Sequence, residues 1–180
     1  MTAAQADLQA EFPEMPEELR IDRPAVADGA ALWRMARDSE VLDLNSSYSY
    51  LLWCRDFADT SAVARAEPGG PPVGFVTAYL RPDRPRTLLV WQVAVDAAHR
   101  GRGLATRLLD ALTARVADEH GVTGIETTIT PGNTASERLF LSYAQRHGAA
   151  VEREVLFETR QFPDGPHEPE VLYRIGPLSV

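Results

Sequence analysis

An α/β fold, with helices flanking a mixed central sheet, is predicted by three features of this sequence. Strand-like and helix-like apolar runs alternate along the chain. The run Leu88 to Val95 leads through the glycine turn Arg100-Gly101-Arg102-Gly103 into a helix. That helix repeats Leu104, Leu108, Leu112 and Val116 every four residues, with Ala105 and Leu109 beside them, the spacing of one buried face.

The other elements follow in order. Leu19-Arg20-Ile21-Asp22 reads as a first strand, and Pro24 stands near the start of a helix whose apolar face is Val26, Ala30, Trp33 and Ala36. Ser46 or Ser47 caps a second helix running through Phe57, because a hydroxyl just before a helix accepts from an unpaired N–H. Thr60 to Ala66 and Val73 to Leu80 read as strands around the Pro68-Gly69-Gly70-Pro71-Pro72 turn, and a turn over Pro82 to Pro85 precedes Leu88. Beyond the Leu104 helix, Thr123 to Ile129 is a strand and Thr134 to His147 a helix closed by Gly148. Val151 to Phe157 with Val171 to Ile175 make a final strand pair.

Composition bounds the function without choosing it. With 180 residues, 44% of them hydrophobic, the chain is long enough for one well-buried core. We expect a single domain over residues 19–180, preceded by a loose Ala/Glu/Pro-rich leader at 1–18. The formal net charge of −8 argues against a polyanion binder, hence against nucleic acid, and fits a cytoplasmic protein with a cationic substrate. Met1 to Glu18 contains no Lys or Arg and no apolar run, so no signal peptide is read there, and no stretch is apolar for long enough to span a membrane. Cys54 is the only cysteine and follows Leu51-Leu52-Trp53. It reads as a core thiol, and no metal site is expected.

The turn carries the chemistry. Where a strand, a glycine turn and a helix N-terminus meet, small residues let backbone N–H groups approach a ligand, and the free N–H groups and dipole of the first helical turn favour a phosphate. A Walker loop would need Lys-Ser/Thr after Gly103, where Leu104 and Ala105 stand. A dinucleotide fingerprint would need a small residue where Thr106 stands, and Asp96-Ala97-Ala98-His99 separates the turn from the strand. Arg100, Gly103 and Ala105 instead match, in register, the Arg/Gln-x-x-Gly-x-Gly/Ala pattern of the GNAT acetyltransferases.

The likeness extends to Asp43-Leu44-Asn45-Ser46-Ser47-Tyr48-Ser49-Tyr50-Leu51-Leu52, to Val90-Trp91-Gln92-Val93-Ala94-Val95 and to Thr130-Pro131-Gly132-Asn133-Thr134-Ala135-Ser136. Over residues 19 to 175 the chain resembles the diaminobutyrate acetyltransferases of ectoine biosynthesis. The resemblance implies a GNAT fold, acetyl-CoA as co-substrate, acetylation of the 4-amino group of L-2,4-diaminobutyrate, and a homodimer. By that likeness Val93 and Val95 hydrogen-bond the cofactor from their strand, and Arg100, Gly101, Arg102, Gly103, Leu104 and Ala105 hold its pyrophosphate.

Amine attack on a thioester needs a neutral amine, alignment and oxyanion stabilisation, but no enzyme nucleophile. None is evident, since Gly-x-Ser-x-Gly is absent and Cys54 has no activating motif. The family pattern places a general acid, often Tyr, where this chain has Phe140. Tyr143, three residues on, is then either that acid or a packing hydroxyl. Asn133 either caps its helix alone or also bonds the pantetheine arm. For the substrate, Asp43 with Asn45, Tyr48 and Trp91 forms one half-site. His167 and Glu170, from a Pro/Gly-rich loop, form the other. Glu170 or a held water takes the ammonium proton, and a carboxylate suits that task when desolvation raises its pKa. Two alternatives remain at this point: a GNAT enzyme for another amine, such as a different diamino acid or an aminoglycoside, and a noncatalytic acyl-CoA-binding module.

Overall fold

Seven strands form one mixed sheet: β1 (Arg20–Asp22), β2 (Ala62–Arg65), β3 (Pro72–Arg81), β4 (Arg84–Val95), β5 (Gly124–Ile129), β6 (Ala150–Phe157) and β7 (Glu170–Gly176), in the order β1-β2-β3-β4-β5-β7-β6. The computed structural model describes residues 19–163, 165 and 167–178, and the expected leader at 1–18 lies outside them. Helices α1 (Gly29–Ser39) and α2 (Ser47–Asp56) cover one face, and α3 (Leu104–His120) and α4 (Thr134–Arg146) the other. The alternation of strand side chains divides the core accordingly. Ala62, Ala64, Val76 and Ala78 pack under α3 and α4, while Val63 and Phe75 pack under α1 and α2 with Leu32, Tyr50 and Cys54. Burial pushes the Cys54 thiol up to about 11, which leaves it inert at neutral pH.

Two features of β4 shape the site. In its antiparallel pairing with β3, Ala78 faces Val90 and Thr77 faces Gln92, so Trp91 is an extra residue in a β-bulge. A single extra residue inverts the phase of everything after it. Leu88 and Val90 therefore point under α3, whereas beyond the bulge Val93 and Val95 take that face and Gln92 and Ala94 turn toward α1 and α2. The second feature is a parting of strands. β4 runs parallel to β5 only from Thr87↔Gly124 to Leu89↔Glu126, while β5 stays paired with β7 as far as Ile129. A gap thus opens between β4 and β5 beside the bulge. At its apex the buried Glu126 accepts from Arg81 (3.0 Å) and Arg174 (3.2 Å) and pairs with Arg84 (3.0 Å), which ties β3, β4, β5 and β7 where the strands diverge.

Some boundaries and faces differ from the sequence reading. The buried side of α1 is Gly29, Leu32, Met35 and Ala36, while Val26 and Ala30 are exposed. Gly29 sets this rotation, since a Cβ there would stand 2.8 Å from Leu51 Cδ2 of α2. Thr60 belongs to a 3-10 turn over Ala58–Thr60 instead of to β2. β4 begins at Arg84, because Pro82 and Asp83 alone make the hairpin turn and Pro85 precedes the first residue paired with β5, Thr87.

Candidate active site

The glycine turn and the diverging strands enclose the first cavity. Gly101 (φ 75°) and Gly103 (φ 70°) both take the left-handed conformation, which costs glycine nothing and other residues more. The helical ladder of α3 begins with Arg107 N–H donating to Gly103 O (3.1 Å), so the N–H groups of Leu104, Ala105 and Thr106 lie outside it. Those groups, the two glycines, Val93 to Val95 and the start of α4 line a groove of about 240 Å³. A Cβ on Gly101 or Gly103 would meet no protein atom within 4 Å. The turn is therefore open toward the groove, as a cradle for phosphate oxygens requires. Backbone direction completes it. Asp96 N–H donates to Val73 O on the β3 side (2.9 Å), so by alternation the N–H groups of Val93 and Val95 point the other way, into the gap. Arg100 Nε donates to Val95 O (3.0 Å) and fastens the turn to the end of β4.

A second cavity, of about 340 Å³, lies on the other side of the bulge. Trp91 and Gln92 of β4, Thr128 to Thr130, Asn133, the loop before α2 with Asp43, and the segment with His167, Glu168 and Glu170 line it. His167 Nε2 stands 3.6 Å from Asp43 Oδ2 and 3.8 Å from Glu170 Oε1. Acceptance by the Glu168 carbonyl, followed by the Asp43 carboxylate, raises the His167 pKa above its usual value. The Phe162 ring stacks on the imidazole at 3.9 Å between centroids. Glu168 accepts from Gly132 N–H (3.3 Å) and so holds the His167 segment against the turn before α4. Carboxylates converging on a cavity with a stacked imidazole can sort a substrate bearing both ammonium and carboxylate groups. Asp43, His167 and Glu170 offer ligand atoms within 4.8 Å of one another.

The structure thus brings Asp43, Trp91, His167 and Glu170 together in one cavity, and Val93, Val95, Arg100, Gly101, Gly103, Leu104 and Ala105 in the other. Other residues fall elsewhere. Arg102 lines neither cavity, and Tyr48 is 65% exposed on α2. Asn45 lines a separate aromatic hollow with Trp53, Phe57 and Tyr79. Asn133 Oδ1 accepts from Ser136 N–H (3.1 Å), capping α4, and the residue borders the second cavity instead of the cofactor groove. Tyr143 needs the plainest correction: it is 1% exposed, stacks on His147 at 4.3 Å, and lines neither cavity. Three residues past Phe140 lies nearly a full turn further from the helix start, where the side chain meets α3. Burial raises its hydroxyl pKa, which makes it a poorer acid. Tyr143→Phe is expected to leave kcat within about twofold of the parent in steady-state assays.

Sequence reasoning gives no role to Gln92, Glu168, Phe162, Thr128 or Thr130. Gln92 lies within the Val90–Val95 strand motif, but only the bulge shows which way it points.

The groove and the cavity share β4 and the start of α4 as their common wall, an arrangement in which a phosphate-bearing thioester in one can meet an amine in the other across the gap. A model of the acetyltransferase (GNAT) family matches residues 28–143. The L-2,4-diaminobutyric acid acetyltransferase of Streptomyces avermitilis is 81% identical over 99% of this chain and 99% of its own length. That of Marinococcus halophilus is 45% identical over 91% and 92%. Among solved structures, the diaminobutyrate acetyltransferase EctA from Paenibacillus lautus, in complex with its substrate L-2,4-diaminobutyric acid and coenzyme A, aligns with a TM-score of 0.82 at 45% identity, covering 89% of this chain and 95% of that one. Fold and site thus define a GNAT acetyltransferase. Within that class, the chain belongs to the family of L-2,4-diaminobutyric acid acetyltransferases.

Proposed function

We propose that the protein transfers acetyl from acetyl-CoA to the 4-amino group of L-2,4-diaminobutyrate, giving N4-acetyl-2,4-diaminobutyrate for ectoine synthesis under osmotic stress, in the cytoplasm and as a homodimer. The observation that carries this reading is the meeting of an open glycine cradle and a carboxylate-lined cavity on either side of one bulged strand. Membership of the family supplies the substrate. Among the described residues no helix is long and apolar enough to cross a membrane. Mass spectrometry of the product from acetyl-CoA and diaminobutyrate tests reaction and regiochemistry together, and an acetyl group on the 2-amino nitrogen or no product at all would refute the assignment.

In this reading the glycine turn and the first turn of α3 hold the pyrophosphate, and Val93 and Val95 align the pantetheine arm and thioester through backbone groups. Asp43 takes the ammonium that does not react, against the wall of Trp91. Glu170, directly or through a water, removes a proton from the other ammonium. The freed amine lone pair attacks the thioester carbonyl and a C–N bond forms; the nitrogen gives its second proton to water as the tetrahedral intermediate collapses and the C–S bond breaks. The thiolate takes its proton from solvent, since neither Phe140 nor the buried Tyr143 reaches the groove.

His167 makes this recognition pH-dependent. While protonated, it neutralises part of the charge of Asp43 and Glu170. As pH rises through its raised pKa, the trio passes from one net negative charge to two and attracts a diammonium substrate more strongly. In the parent, kcat/KM for the diamine should climb as pH increases above about 6.5. His167→Gln should lose that component of the profile, and an identical profile in the variant would exclude the role.

A further inference from the structure

We infer that Gln92 is a positioning residue for diamine recognition, acting as a clamp between α2 and the loop that carries Asp43. This rests on the reading of Asp43 as the ammonium ligand. The bulge at Trp91 turns Gln92 away from α3 and toward α2, where its side chain is 6% exposed. There Gln92 Nε2 donates to the backbone carbonyl of Asp43 (2.8 Å), and Gln92 Oε1 accepts from the hydroxyl of the fully buried Tyr50 (3.0 Å). The order of donors is fixed, because a carbonyl can only accept and the opposite amide orientation would face two oxygens together.

The Asp43 loop is otherwise held from outside the sheet, by Leu42 N–H donating to Ser39 Oγ (3.1 Å) and by His167 Nε2 at 3.6 Å from Asp43 Oδ2. Its carboxylate side chain is 84% exposed, and the approach of Asn45 Nδ2 to Asp43 O is long at 3.5 Å. The Gln92 amide is therefore the main fixture from the sheet. It also sits between Trp91, which walls the amine cavity, and Val93, which lines the cofactor groove. The hydrogen bond from Gln92 thus sets the Asp43 carboxylate at a defined height above the strand that aligns the thioester. Tyr50 keeps the amide from turning.

The test compares three variants of the full chain. Gln92→Met keeps length and removes both hydrogen bonds, Tyr50→Phe removes only the hydroxyl, and Thr77→Val alters the residue paired with Gln92 across the sheet. Thr77 is buried in the same layer and its hydroxyl has no partner. Gln92→Met should raise the KM for diaminobutyrate about tenfold or more while the KM for acetyl-CoA stays within about twofold. Tyr50→Phe should do the same to a smaller extent. The double variant should be no worse than Gln92→Met, as expected for two residues acting through one chain of bonds. Amide exchange over residues 40–46 should quicken in Gln92→Met, and Thr77→Val should match the parent in both measurements. A parent-like diamine KM or unchanged exchange in Gln92→Met and Tyr50→Phe would overturn the inference, as would a Thr77→Val variant as impaired as Gln92→Met. The reading of Asp43 fails on a separate result: an Asp43→Asn variant with an unchanged diamine KM.

Discussion

Glu170→Gln should lower kcat about a hundredfold or more, because the amide keeps the shape of the carboxylate and cannot take a proton. The side chain is 17% exposed, stands 3.8 Å from His167 Nε2, and begins β7 on the wall of the amine cavity. Acetyl-CoA binding should be unaffected, since Glu170 is no part of the cofactor groove. Pre-steady-state measurement of acetyl transfer separates two roles. A fall in the chemical step identifies the base, whereas an intact step with a raised diamine KM assigns Glu170 to ammonium binding and leaves a water to accept the proton.

The second large effect is expected at the glycine turn. Gly103 precedes α3 with φ 70°, and a methyl group placed on its Cα would meet no protein atom within 4 Å. The Cβ of Gly103→Val therefore meets no packing clash. The substitution does force a β-branched residue into the left-handed region, at a cost of about 1–3 kcal/mol, and it puts its side chain where the phosphate oxygens must approach. Calorimetry should show CoA affinity falling about a hundredfold, with the diamine site still able to bind. Arg102→Ala should cost much less, because Arg102 does not line the groove. Undiminished CoA affinity in Gly103→Val would show that the phosphates bind elsewhere.

What can be read from the sequence follows the range of the interactions involved. The glycine turn is legible because its parts are adjacent: an apolar strand, two glycines with positive φ, and a helix whose leucines repeat down one side. The order of strands and helices is legible for the same reason. The convergence of Asp43 with His167 and Glu170 depends on chain segments far apart in sequence, and family likeness reveals it where periodicity does not. Three things are hidden. Val90-Trp91-Gln92-Val93 looks like regular alternation, so nothing in it announces a bulge. The face that α1 buries is set by Gly29 against α2, a contact that an apolar-stripe argument does not see. Tyr143 draws notice by its nearness to Phe140, but helix rise and the packing of α3 carry it away from the groove.

The extra residue in β4 has a consequence for how such an enzyme can diversify. Downstream of Trp91 the side chains of Val93 and Val95 take the α3 face beside the groove, while Gln92 turns to the loop that carries Asp43. The two compartments draw on successive stretches of one ribbon, the amine cavity on residues 91 and 92 and the groove on residues 93 to 95. A lineage can therefore vary positions 91 and 92 on the acceptor side and leave the lining of the groove in place. Deleting a single residue there would turn every side chain beyond it to the opposite face of the sheet.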